Sequence, residues 1–258
     1  MNKPIFAISS LVLASFAIQG SAYSATPAAQ SQTFTTQQNQ AIENIISNYL
    51  DSHPEIIEKA LKKAFLKKEQ AKQEKTKQVI VQRKSQIFKD PMSPTSGNAN
   101  GTTEIAVFMD PFCGYCHQFQ KILNDVQSQR KDLRVVYKIV PFLSKESLVA
   151  AREEMAAHLQ DRFVEYHEAL YESTARAQNQ KSRMELAREV GININRLKKD
   201  IRSSKVKRAI EANQELAKAL SIGGTPAFIV NDTLVVGLVD ADNLNKILDA
   251  KSEITTPS

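Results

Sequence analysis

The sequence predicts an α/β fold: a small sheet interrupted by a helical insertion and preceded by a helical N-terminal stem. Three observations predict it. A short apolar run, 104–109, leads into a helical pattern over 114–129 and then a β-branched, aromatic run over 133–140, a strand–helix–strand opening. Two short β-rich runs, 227–230 and 233–236, are separated by Asn231-Asp232 and followed by a helical pattern over 241–250, a hairpin-plus-helix ending. Between them, 145–200 is helical, with Leu148, Ala151, Met155 and Leu159 on one face, and a further helix covers 205–220.

Composition narrows the class. The chain has 258 residues, 42% hydrophobic and 24% charged, which is ordinary globular usage. Its two cysteines cannot form a disulfide scaffold, nor fill a four-ligand zinc site without further ligands. No metal and no cofactor is expected. The net charge of +6 is localised: 51–90 hold 11 Lys and Arg against 6 Asp and Glu, whereas 91–258 hold 22 against 21. Residues 91–258 are therefore close to neutral, and no nucleic-acid surface is read there.

The first 25 residues read as a secretory signal peptide. Lys3 precedes an uncharged apolar run over 5–18, and Gly20-Ser21-Ala22-Tyr23-Ser24-Ala25 suits cleavage. The competing readings are a buried helix or an uncleaved anchor, but the run falls short of the roughly 18 apolar residues of a span. The cysteines would then work in an oxidising compartment.

Residues 26–90 read as a stem. A polar stretch over 26–38 is followed by Ile42, Ile45, Ile46, Tyr49 and Leu50 at helical spacing. Ser52 and Glu55 fit a capping box for a second helix, with Pro54 in its first turn. That helix carries Ile56, Ile57, Ala60, Leu61, Ala64 and Phe65, then turns almost wholly charged and polar. A helix with so narrow an apolar patch wants a partner surface, which points to homo-oligomerisation through 40–66. The alternative is a solvated helix docked on its own domain. Residues 91–101, punctuated by Pro91, Pro94, Gly97 and Gly101, read as a linker before a domain spanning 102–258.

The chemistry is carried by Cys113-Gly114-Tyr115-Cys116, placed between a strand and a helix. Cys113 would sit at the helix N-terminus, where free N–H groups and the dipole favour a thiolate, the nucleophile of thiol–disulfide exchange. Cys116, one turn deeper, is within reach to close a disulfide. Gly114 would let the turn tighten and Tyr115 would set polarity between the sulfurs. With His117 the string also matches a c-type haem attachment site, although such a site needs no strand before its first cysteine. A metal site would need more ligands, and a structural disulfide closing so small a ring would add little stability.

The second motif is Gly223-Gly224-Thr225-Pro226, just before a strand. The glycine pair would permit close approach, and a cis Thr225–Pro226 bond would expose the Thr225 backbone to an extended substrate beside the cysteines. An ordinary trans turn is the alternative. Lys138, Tyr137 and Tyr115 are candidate tuners of the thiolate. His158 and His167 read as surface or satisfied core histidines, and Glu153-Glu154 as solvated helix charges.

Taken together, the strand–Phe112-Cys113-Gly114-Tyr115-Cys116–helix and the downstream Gly223-Gly224-Thr225-Pro226 strand resemble the DsbA family of periplasmic thiol–disulfide oxidoreductases over about 100–250. The stem, with Asn48-Tyr49-Leu50 followed by Pro54-Glu55, resembles the Com-type, DsbA-like outer-membrane immunoreactive proteins, where the stem mediates oligomerisation. The resemblance implies a thioredoxin fold, Cys113 as nucleophile, Cys116 as resolving thiol, a redox disulfide between them, and Pro226 as the cis-proline. It implies substrate contacts at Thr225, Pro226, Gly114 and Tyr115. Unfolded or wrongly disulfide-bonded secreted proteins would be the substrates, with a membrane redox partner. It places the chain in the periplasm, with outer-membrane association as a second option. Gly114-Tyr115 and Thr225 depart from the oxidase pattern and are similar to the DsbC disulfide isomerases, which implies isomerase as well as oxidase capacity. The reading from a different class is a secreted or outer-membrane binding or antigenic protein that uses the fold as a scaffold.

Overall fold

The computed structural model describes residues 34–173 and 177–250. The signal-peptide expectation, and the leader up to residue 33, lie outside the described residues. The chain divides into two compact units between Leu61 and Lys62.

The first unit holds helix α1 (Thr36–Ser52) and the start of α2 (Pro54–Gln82). Thr35 opens α1 through a capping box with Gln38, satisfying two amide groups that have no intrahelical partner. The capping box expected at Ser52 does not form. Ser52 donates back to the Asn48 carbonyl at 2.8 Å, and Glu55 pairs with His53 at 3.1 Å, whose ring packs on Tyr49. No residue of α1 is buried, and Ile45, Ile46 and Tyr49 are more than half exposed.

The second unit is built on a five-stranded sheet in the order β1-β3-β2-β4-β5. Its strands are β1 (Thr95–Gly97), β2 (Thr103–Met109), β3 (Leu133–Ile139), β4 (Ala227–Val230) and β5 (Thr233–Val236). Parallel β2 and β3 are joined through α4 (Gly114–Gln129), and β1, β4 and β5 run antiparallel to their neighbours. The insertion comprises α5 (Lys145–His158), α6 (Phe163–Glu172), α7 (Gln180–Glu189) and α8 (Ile194–Asp200). Helices α9 (Ser204–Ala219) and α10 (Ala241–Asp249) complete the unit. Asn231, at φ 55°, supplies the left-handed residue of the hairpin turn.

β2 is buried on both faces, and this explains its continuous apolar run. Ile105, Val107 and Met109 join α4 and the insertion in one core, with Phe119 stacked on Phe228. Ala106 and Phe108 face a second core closed by Leu216 and Ala217 of α9, by Leu220 just after it, and by Ile80, Ile87 and Phe88. The last three come from the end of α2 and from α3 (Lys84–Phe88). So the stretch preceding residue 91 contributes core to the sheet.

The stretch read as a linker also differs. It contains β1, and the Tyr137 N–H donates to the Pro94 carbonyl at 2.8 Å. Gly97 is required there: it sits at φ +79°, and a Cβ would lie 2.5 Å from the Leu133 carbonyl oxygen. Its prolines and glycines serve an edge strand and its turns, a use that breaks periodicity as effectively as a linker does.

Candidate active site

Cys113 is the N-cap of α4 in extended geometry, and its carbonyl accepts the Cys116 and His117 amides at 2.9 and 3.1 Å. This puts its sulfur at the helix N-terminus, in a residue that is almost enclosed, at 7% exposure. Cys116, one turn in, is wholly buried. The pair stands as two thiols. Burial pushes the Cys116 thiol well above the usual thiol range, against the pull of hydrogen bonds from the Thr225 side chain and the Asp110 backbone.

The distant Thr225–Pro226 motif lands on this sulfur. The bond is cis, and the Cys113 thiol donates to the Thr225 carbonyl at 3.2 Å. The fold thus brings together Cys113, Cys116, Thr225 and Pro226. Gly114 and Tyr115 lie on the exposed rim, Tyr115 at 62%. The glycines work differently from expectation. A Cβ at Gly114, Gly223 or Gly224 would meet nothing within 4 Å, so neither the turn nor a close approach demands glycine. Their effect is to leave bare backbone beside Cys113, at Gly114, and ahead of Thr225, at Gly223 and Gly224.

The candidate tuners separate. Tyr137 lies buried on the same core face as the cysteines, its hydroxyl near Ser96 and Gln120. Lys138, the next residue, points to the opposite face of the sheet, where its ammonium donates to the Gln86 carbonyl and the Ser93 hydroxyl, both at 2.6 Å. It anchors the chain after α2 rather than touching the sulfurs.

The Glu153-Glu154 expectation is overturned. Both carboxylates are wholly buried beneath the insertion. Glu153 pairs with the buried Arg183, whose guanidinium also sits 5.6 Å over the ring of Phe112, the residue before Cys113. Glu154 pairs with His167 at 2.6 Å, whose other ring nitrogen lies 3.0 Å from Gln120 of α4. His167 is thus a satisfied core histidine, stacked on Phe163 and packed against the tilted rings of Tyr137 and Tyr171. His158 is half-buried.

Three site residues escaped the sequence reading. Asp110, wholly buried three positions before Cys113, accepts backbone N–H groups from Phe112, Phe142 and Leu143. Phe142 and Leu143 follow β3 and expose their apolar side chains at 39% and 60%. The available signals were a carboxylate ending a buried strand and two large apolar residues in a loop after Pro141. Among the described residues, no group of three or more His, Cys, Asp or Glu side chains could hold a metal ion.

A family described as the DSBA-like thioredoxin domain matches residues 104–249. The chain belongs to this family, and with it to the thiol–disulfide oxidoreductases of thioredoxin fold. A thioredoxin-like oxidoreductase from Silicibacter pomeroyi is 31% identical, over 64% of this chain and 95% of that one, with a TM-score of 0.60. The thiol-disulfide exchange protein α-DsbA2 from Wolbachia pipientis is 27% identical, over 69% of this chain and 97% of that one, at 0.63. A periplasmic thioredoxin-like protein from Salmonella enterica serovar Typhimurium is 27% identical, over 64% and 92%, at 0.54. No curated protein matches the chain.

Proposed function

We propose that this chain is a periplasmic protein thiol–disulfide oxidoreductase with both isomerase and oxidase capacity, acting through Cys113 and Cys116. The observation that carries it is the meeting of an N-capping cysteine sulfur with the Thr225 carbonyl of a cis-proline loop, 3.2 Å away. The Cys113 thiolate attacks one sulfur of a substrate disulfide; the old S–S bond breaks and the other substrate sulfur leaves as thiolate. Two fates follow. A second substrate thiolate attacks the mixed disulfide, forms a new substrate disulfide and returns Cys113 as thiolate: isomerisation. Otherwise Cys116 loses its proton and attacks Cys113, which releases the substrate reduced and leaves the Cys113–Cys116 disulfide. Run backward from that disulfide, the same steps oxidise a dithiol.

Burial of Cys116 favours the first fate. A thiol whose ionisation is held up by burial supplies little thiolate to close the pair, so the mixed disulfide persists long enough for a substrate thiol to act. The bared backbone around Gly114, Gly223 and Gly224 suits an extended substrate at Thr225, with the exposed Tyr115 flanking it and the buried Pro226 setting the cis bond that presents Thr225.

The stem is the second part of the proposal. Ile45, Ile46, Tyr49, Leu61 and Phe65 are each at least half exposed, more large apolar surface than a solvated helix leaves uncovered. We read residues 40–66 as a homo-oligomerisation segment that holds a misfolded client between facing sites. Secreted proteins with wrong or missing disulfides are the substrates, and a membrane redox partner resets the pair. The signal-peptide reading and the periplasmic Salmonella relative support the location, with outer-membrane association the further option.

The test is reactivation of scrambled ribonuclease by the chain from residue 26 and by one starting at Lys62, which spares the core residues Ile80, Ile87 and Phe88. Reactivation by the longer chain, and thiol oxidation alone by the shorter, is the expected result. If neither reactivates but both oxidise a reduced substrate, the isomerase reading is lost.

A further inference from the structure

We infer that Asp110 is a positioning residue for polypeptide substrates: its carboxylate latches the loop bearing Phe142 and Leu143 to the turn bearing Cys113. The inference rests on the exchange reading of the same site. Asp110 Oδ1 accepts the Phe112 N–H at 2.8 Å. Oδ2 accepts the Phe142 and Leu143 N–H groups at 2.7 and 3.0 Å. Through its main chain the same residue bonds the Cys113 amide, at 3.1 Å, and the Cys116 sulfur. One residue therefore ties both cysteines and a loop more than 30 positions away.

The carboxylate is wholly buried, and among the described residues no Lys, Arg or His forms an ion pair with it. Burying a charge without a cation is costly unless directed donors satisfy it. Here the donors are the consecutive amides of the 142–143 loop, a small anion nest, plus the amide before Cys113. The loop cannot swing away without stranding a buried charge, so Phe142 and Leu143 stay presented. Their occupant is an apolar, extended segment of the unfolded polypeptide whose disulfide is docked at Cys113. Glutathione disulfide is polar and carries no large apolar side chain to set against Phe142 and Leu143, so polypeptides gain more from the latch than it does.

The test compares wild type with Asp110→Asn, which keeps the shape but turns one acceptor into a donor, using scrambled ribonuclease and glutathione disulfide as substrates. The expected result is a polypeptide KM raised by about tenfold, and a ratio of polypeptide to glutathione kcat/KM lowered by a similar factor. Asp110→Glu, which keeps the charge, is expected to recover part of that ratio. Amide hydrogen exchange gives an independent readout: Phe142 and Leu143 are expected to lose protection in Asp110→Asn. An unchanged ratio, or unchanged exchange at those two amides, overturns the inference. A wild-type chain that exchanges with neither substrate overturns the exchange reading and this inference with it.

Discussion

The Cys113 thiol donates to the Thr225 carbonyl oxygen at 3.2 Å, across 112 positions of sequence. Two motifs that separately have ordinary explanations become one site through this contact. It also sets the role expected of each sulfur, since Cys113 lies at the surface end of the contact and Cys116 beneath it.

Cys113→Ser is expected to abolish exchange with any disulfide. Cys116→Ser removes only the buried partner, so attack continues and a mixed disulfide with substrate accumulates. Mass spectrometry of trapped complexes checks both. Exchange activity that survives in Cys113→Ser would remove the mechanism.

The pair Glu153–Arg183 makes a stability prediction. Arg183→Met strands a buried carboxylate, with an expected loss of about 3–5 kcal/mol in urea unfolding. The double variant Glu153→Leu with Arg183→Met removes both charges and is expected to lose much less. If the two lose equally, the pair is not what the buried charges require.

Burial lowers the pKa of Lys138 to about 8, with Asp90 opposing the shift. Unfolded, an exposed lysine keeps its proton to about pH 10.4. Between these values the unfolded chain binds the extra proton, so stability rises with pH, by up to about 3 kcal/mol from this group. Lys138→Met should lack that rise. Denaturant titrations of both proteins from pH 7 to pH 10 give the difference directly, and parallel curves would contradict it.

Residues 80–88 and the exposed stem should respond in opposite ways. Phe88→Ala empties a core position and should cost about 3–5 kcal/mol of stability. Leu61→Ser changes an exposed side chain and should leave unfolding within about 0.5 kcal/mol when the chain is kept monomeric by dilution. In the oligomerisation proposal it instead lowers the molar mass seen by light scattering at micromolar concentration.

Much of the fold was legible because its signals are local. The strand at 104–109, the helix at 114–129 and the 231–232 turn are set by apolar runs, a helical pattern and a residue that tolerates positive φ, and the structure places all three there. The strand–helix junction at Cys113 was legible for the same reason. The three-residue strand β1 was not, because it exists only through its partner β3 and lacks a pattern of its own.

What the sequence by itself determined is the order of the longer elements from residue 104 onward and the two reactive motifs, since periodicity, turn chemistry and helix starts act between neighbours in the chain. What only the tertiary structure decided is which polar groups are dry and whom they meet. Adjacent Glu153 and Glu154, a pattern common on solvated helices, are buried because Arg183 and His167 arrive from two other helices. Asp110 becomes a latch only when the loop after β3 brings two amides to it. A buried charge is tolerated only with its partners in place, and partners distant in sequence are supplied by packing alone.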